Sequence, residues 1–278
     1  MLNIVCTIKA FRRPDYLKQC LESITTAYDW DKYPYIISID NHEATKNEMI
    51  KCVKEFKNKG ANVKLYYQKS NLGCAGNTYF ILDKAFDEYK ADAIVHIEED
   101  NIIAKDCLRW LVWAIENTYN DDNIFAACSF IRTAQIPSYK PVLENNFEKS
   151  FYRNHYECGS LWGMSNKIYS YIKSINGCFG AVGNTNTDLP PDEWRKSISE
   201  TFKGSWAWNF NKFCRRQRYC IAPVYSRSNN IGAERAVFNP SKKWHQENVW
   251  NDNWIGNDEY KDKDLSNIKY ILPTTEVI

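Results

Sequence analysis

Glu98, Glu99 and Asp100 are three consecutive acids placed directly after the apolar run Ala93–Ile97. Carboxylates gathered at the end of a buried strand repel one another unless a cation offsets them. A hard divalent ion such as Mg2+ or Mn2+, with oxygen ligands and retained waters, would do this and would also hold a diphosphate. A solvated acidic loop is the alternative. The segment Asn71–Asn77 is a second candidate. Its Gly73 and Gly76 permit positive φ and close backbone approach, and a following helix would point free N–H groups at an anion. It is neither GxGxxG nor a Walker A loop, and a plain strand-to-helix connection explains it as well. In Lys9-Ala10-Phe11-Arg12-Arg13-Pro14, two arginines could pair with phosphates or flank a base, or could be surface charge at a helix start. Asp40 could accept hydrogen bonds from a base or ribose, or serve as a turn carboxylate or helix cap.

These residues depend on the elements that carry them. Leu2–Ile8 reads as a buried strand, and Pro14 opens a helix with Tyr16, Leu17, Cys20, Leu21 and Ile24 at helical spacing. Strands follow at Tyr35–Ile39, Val63–Tyr67, Ala93–Ile97 and Ile124–Ser129, with helices over about 46–59, 78–89 and 104–118 between them. This alternation predicts an α/β fold with a mostly parallel sheet covered on both faces. Ligands in such sheets bind outside the carboxyl ends of the strands, which is where all four candidate segments fall. Beyond about residue 135 the pattern loosens into Tyr-, Asn-, Gly- and Trp-rich loops with short elements. The chain therefore divides into 1–135, 136–250 and a polar tail, 251–278, expected to lie across the surface or to be partly mobile.

The 278 residues carry a net charge of +2, which removes the electrostatic reason to expect a nucleic-acid binder. No apolar stretch approaches a membrane span, and the start lacks a signal-peptide pattern. The 10 cysteines form no CxxC pair, so neither a zinc ribbon nor a redox motif is indicated. Reduced thiols and a cytoplasmic location are expected, with contact at a membrane surface left open. Aromatic residues reach 15%, with 10 Trp and 18 Tyr, which suits a site for flat, partly polar ligands such as sugars and suits a large core equally.

The order Phe11-Arg12-Arg13-Pro14, Ser70-Asn71-Leu72-Gly73, His96-Ile97-Glu98-Glu99-Asp100 and Ser226-Arg227-Ser228-Asn229-Asn230-Ile231-Gly232 resembles GT-A glycosyltransferases. The similarity is to bacterial family-2-like enzymes and, more distantly, to the N-acetylglucosaminyltransferase I group, over about residues 3–247. It implies a Rossmann-like GT-A sheet, a nucleotide-sugar donor (UDP-sugar ahead of GDP-sugar), a glycan or other saccharide acceptor, and inverting transfer of a hexosyl or N-acetylhexosaminyl unit with Mn2+ or Mg2+. The acidic triplet would be the DxD-type element. Asp100 would bind the metal, joined by His245, and Glu98 and Glu99 would lie near the donor ribose and sugar. Lys9, Phe11, Arg12, Arg13, Asp40, Asn71, Gly73 and Asn77 would line the donor site. Arg227 would pair with the diphosphate or fix its own loop. Trp162, Trp194, Trp206 and Trp208 would face the acceptor, with the loop Gly159–Gly163 on the acceptor side.

Inverting transfer needs a general base to take the acceptor proton. The resembling enzymes place a carboxylate in a Trp-Asp-Trp-like element. This chain has Trp206-Ala207-Trp208 there, and Ala207 has no proton-accepting atom. Three explanations stand. Ala207 replaces an original Asp; the base is Asp192 or Glu193; or the chain is a binding-only relative for nucleotide-sugars or glycans. Asp192 and Glu193 could equally be a helix-start acid pair. A metal-dependent nucleotidyltransferase is a further rival, but it would show a glycine-rich loop after the first strand, and residues 6–11 contain no glycine.

Overall fold

A computed structural model describes residues 1–130, 147–153, 161–174, 218–233, 241–248, 254–256 and 264–273. Strands β1 (Ile4–Ala10), β2 (Tyr35–Ile39), β3 (Val63–Tyr67), β4 (Ala93–Glu98) and β6 (Ile124–Cys128) fall close to the predicted runs. So do helices α1 (Pro14–Thr25), α2 (Lys46–Asn58), α3 (Gly73–Asp83) and α4 (Cys107–Thr118). β5 is the short strand Asn101–Ile103. Later come β7 (Ser150–Arg153), β8 (Leu161–Ser165), α5 (Asn166–Ser174), β9 (Tyr219–Pro223), β10 (Ser228–Asn230) and a short α6 (Lys242–Asn248).

Eight strands form one sheet in the order β3-β2-β1-β4-β8-β6-β9-β7. The pairs β3/β2, β2/β1, β1/β4 and β6/β9 are parallel. β8 enters antiparallel between β4 and β6, and β7 closes the edge antiparallel to β9. All seven residues of β1 are buried, as a central strand covered on both faces requires. α1 starts with Pro14 at its first turn, where a missing N–H costs nothing, and buries Leu17, Cys20, Leu21 and Ile24. One apolar cluster lies on each face of the sheet. α4 presses so closely on β8 that a Cβ at Gly163 would collide with Ile115.

Five strands, β5, β7, β8, β9 and β10, are not among those predicted from the sequence. β5 and β10 have three residues each and form a separate antiparallel ribbon, with Asn230 opposite Asn101. β8 was read as part of an acceptor loop, Gly159–Gly163. Its residues 161–163 are instead an interior strand, with Trp162 opposite His96. The described parts of the tail pack on the body. Ile271 bridges Lys149, and the Ile255 N–H donates to Ser226 O at 2.9 Å. Among the described residues no helix is long and apolar enough to cross a membrane.

Candidate functional site

The carboxyl ends of β1, β2 and β4 and the starts of α1 and α3 meet at one edge of the sheet. Lys9 and Glu98 are register partners on β1 and β4, so their side chains are neighbours. The Lys9 ammonium lies 2.6 Å from Glu98 Oε1, 2.8 Å from Cys74 Sγ and 3.0 Å from Thr78 Oγ1. Burial opposes this charge, but Cys74 and Glu98 outweigh it and hold the ammonium above its ordinary pKa. Lys9 thus ties the first acid of the triplet to the first turn of α3. Cys74 and Thr78 were not singled out from sequence, because neither type stands out in an apolar helix.

Arg13 compensates the other two acids. Its Nη2 is 2.6 Å from Glu99 Oε1 and 2.8 Å from Asp100 Oδ2. Burial raises the Glu99 pKa, and the neighbouring Asp100 and Glu98 charges add to this. Against the pull of Arg13, the carboxyl is pushed up to about 7. Arg12 occupies the left-handed region at φ 47°, uncommon outside glycine, with its guanidinium 5.4 Å from the centre of the Phe11 ring. Phe11 in turn packs edge-on against His42 at 5.6 Å.

Asp40 sits at the end of β2, as predicted, but its oxygens are engaged inside the protein. Oδ1 accepts the Leu72 and Asn41 N–H groups at 2.8 and 2.9 Å, and Oδ2 accepts the Gly73 N–H at 2.9 Å. Gly73 has φ 74°, and its N–H also reaches Asn71 Oδ1 at 2.8 Å. Asp40 is therefore the clamp that shapes the Asn71–Gly73 turn. Asn77 is buried too: its Oδ1 accepts from Ser38 Oγ at 2.5 Å, and Gln68 Nε2 donates to the same hydroxyl at 2.9 Å. These contacts make Asn77 a tie between α3 and β2, which corrects its reading as a donor-facing group.

The ribbon β5/β10 brings the late segment onto Asp100. The Ile231 N–H donates to the Asp100 carbonyl at 2.7 Å. Asn230 Nδ2 donates to Asp100 Oδ1 at 2.9 Å, while Asn230 Oδ1 faces His245 Nε2 at 3.0 Å. A Cβ at Gly232 would collide with the Asp100 carboxylate, so glycine is needed for this approach. Asp100 and His245, 145 positions apart by their numbers, are thus held by one amide. Asn230 and Gly232 belong to the motif that carried the resemblance, yet nothing in the sequence said which acid they touch.

Two expectations are corrected. Arg227 is fully buried and is not at the acidic cluster. Its Nε pairs with Asp106 Oδ2 at 3.0 Å, and Nη1 donates to Tyr225 O at 2.7 Å. Of the two roles left open, the structure gives it the loop-fixing one and leaves no group for a diphosphate. Trp162 is fully buried, with its ring 4.9 Å from that of His96, so no face is open to an acceptor. Asp192, Glu193, Trp194, Trp206, Ala207 and Trp208 lie outside the described residues.

Among the described residues no group of three or more His, Cys, Asp or Glu side chains is placed to hold a metal ion: Asp100 accepts from Arg13 and Asn230, and His245 Nε2 faces the Asn230 amide oxygen.

Among curated proteins, none matches the chain. Solved structures resemble it at low identity. Mannosyltransferase PcManGT from Pyrobaculum calidifontis, in complex with GDP-Man and Mn2+, is 15% identical with a TM-score of 0.44, over 63% of this chain and 47% of that one. Residues 1–349 of S. aureus TarS are 10% identical with a TM-score of 0.47, over 79% of this chain and 60% of that one. The chain thus spans less than two thirds of the length of either. The profile of glycosyl transferase family 2 matches residues 5–178, more than half of the chain and the whole run from β1 through the acidic triplet to β8. With the strand order, the acid-bearing sheet edge and this match together, the chain belongs to glycosyl transferase family 2 and has the GT-A fold.

Proposed function

We propose that the chain binds a nucleoside-diphosphate-sugar with Mn2+ or Mg2+ and that its parent form transfers the sugar with inversion to a saccharide hydroxyl. The observation that carries this is the meeting of Asp100, Asn230 and His245 at the carboxyl edge of the sheet. Asp100 and His245 would hold the cation, with waters and the diphosphate completing its shell. When bound, that cation would offset charge on the departing nucleoside diphosphate. Glu98, held by Lys9, and Glu99, held by Arg13, are fixed at the strand end where the ribose and sugar of a donor would lie. The base would lie near the turn shaped by Asp40 and the rings of Phe11 and His42. A UDP-sugar is the favoured donor.

The acceptor hydroxyl attacks the anomeric carbon as the bond to the diphosphate oxygen breaks, and its proton must pass to a base. In the parent form a carboxylate at position 207 is that base; with Ala207 the chain binds donor but transfers little. The competing reading, binding without catalysis, is favoured by that same alanine. Family membership favours glycosyl over nucleotidyl transfer.

The test is a titration of the chain with UDP, GDP, CMP and their sugar conjugates, with and without Mn2+. Micromolar binding of one nucleoside diphosphate, dependent on metal and lost in Asp100→Ala, supports the proposal. Absence of binding under both conditions overturns it.

A further inference from the structure

We infer that His42 is a specificity-determining residue of the donor site: its imidazole Nε2 reads the polar edge of the nucleobase. The inference deepens, and rests on, the reading of the chain as a binder of a nucleoside-diphosphate-sugar. It starts from the sheet. β1 and β2 run parallel with Ala10 opposite Ile39, and the Asp40 N–H extends the ladder to Ala10 O at 2.8 Å. Phe11 and His42 therefore leave the carboxyl ends of neighbouring strands together, and their rings meet at 81° with centres 5.6 Å apart. This is the edge where ligands bind in such sheets.

The half-buried His42 is held by three contacts. Its backbone N–H donates to Tyr67 Oη at 3.1 Å, Nδ1 lies 2.9 Å from Thr45 Oγ1, and the ring packs on Phe11. Neighbouring polar groups are engaged within the protein. Tyr67 Oη donates to Asn41 Oδ1 at 2.9 Å, Asn41 Nδ2 donates to Lys69 O at 3.0 Å, and both Asp40 oxygens accept backbone N–H groups. His42 Nε2 differs from them: among the described residues it has no hydrogen-bond partner. A ring fixed at one nitrogen and open at the other presents a single directional hydrogen bond, donor or acceptor according to its tautomer. Bases differ in the donors and acceptors along their edges, and a group built to bond one of them is left unpaired by another. A histidine that served only as a tie within its turn would affect stability and not the choice of base.

The experiment titrates the full chain with UDP, GDP, CDP and ADP, with Mn2+ present. It compares wild type, His42→Ala, Thr45→Val and the double variant, with thermal melting as a folding control. One hydrogen bond is worth about 2- to 10-fold in affinity. His42→Ala is expected to weaken the best-bound nucleotide by that factor, and to cut its lead over the other three equally, while melting as a folded protein. Thr45→Val, which frees the ring, is expected to weaken the same nucleotide by a smaller factor, and the double variant to bind no weaker than His42→Ala. Wild-type affinity in His42→Ala overturns the inference alone. So does an equal loss for all four nucleotides, or a wild type that binds all four alike. If His42→Ala does not fold, His42→Phe takes its place, since it keeps a ring against Phe11 without a nitrogen. A wild-type chain that binds no nucleotide overturns both the inference and the proposed function.

Discussion

Arg227 and Asp106 form a fully buried ion pair at 3.0 Å, at the foot of the strand that carries Asn230. The guanidinium also donates to Tyr225 O and to Phe147 O, and Tyr270 Oη donates to Asp106 Oδ2 at 3.1 Å. The Arg227 backbone is equally committed: its N–H reaches Ser129 O at 2.7 Å, and its carbonyl accepts from Ala104 at 2.8 Å. Arg227 thus locks the start of β10 to the ends of β5 and β6, and its partner Asp106 ties the pair to the tail.

Removing one partner of such a pair leaves an uncompensated buried charge, at a cost of about 3–5 kcal/mol. Arg227→Met is therefore expected to lower unfolding stability by that amount in a urea titration. Asp106→Leu with Arg227→Met should recover part of the loss, since neither charge is then stranded. A double variant less stable than either single would show that the pair is not the source of the effect.

The Asp40 clamp gives a different expectation. In Asp40→Asn, one face of the side chain becomes a donor opposed to backbone N–H groups. Leaving such groups unsatisfied costs about 1–3 kcal/mol. Gly73→Ala strains the same turn through its positive φ by about 1 kcal/mol, with no loss of a polar group. If Asp40 acts through the turn, both substitutions weaken nucleotide binding. Nucleotide affinity lost in Asp40→Asn but intact in Gly73→Ala would mean that Asp40 meets the ligand directly.

How much of this was legible in the sequence depends on range. The first-half elements were readable because β1, β2 and β4 are mainly apolar runs and α1 and α2 keep helical spacing. Lys9, Arg13, Glu98 and Asp100 stood out because they lie at or just after strand ends, where ligands bind in such sheets. Roles were less readable than places. Asp40, Asn77 and Arg227 are polar residues in a motif-rich setting, and nothing local tells a ligand contact from an internal clamp. Trp162 needed the insertion of β8 between β4 and β6 before its burial was evident. Asn230 needed a contact to a residue 130 positions away.

His96 supplies a pH test away from the acidic cluster. It is fully buried on β4, with Nδ1 3.0 Å from Thr7 Oγ1 and its ring against Trp162. Burial, with Lys9 adding to it, holds its pKa well below the ordinary histidine value. The unfolded chain takes up a proton near pH 6.5 that the folded chain refuses, so stability from this group is full above that pH and lost as pH falls. The expected slope is about 1.4 kcal/mol per pH unit. Glu99, whose pKa burial raises, contributes with opposite sign over the same range in any variant, so the expectation is a difference: in chemical unfolding from pH 7.5 to 5 the wild type should lose stability, relative to His96→Gln, by this one-proton slope. Equal slopes in the two proteins would mean that His96 is protonated in the fold.

Position 207 decides between a silenced enzyme and a binding protein. A positioned general base contributes about 10²- to 10⁴-fold to proton-coupled transfer. Ala207→Asp should therefore raise the release of nucleoside diphosphate from the bound donor by that factor, with a panel of saccharide acceptors and Mn2+ present. Nucleotide affinity should stay the same, because the base faces the acceptor and not the diphosphate. A chain that already turns over at full rate with Ala207 would move the base elsewhere, and Asp192→Asn and Glu193→Gln would then identify it by which one abolishes the rate. Intact donor binding with no gain from Ala207→Asp, and no rate to abolish in either variant, would leave a protein that holds a nucleotide-sugar without transferring it. The three outcomes differ in rate while sharing one donor site, so the binding titration and the rate measurement must be made on the same preparations.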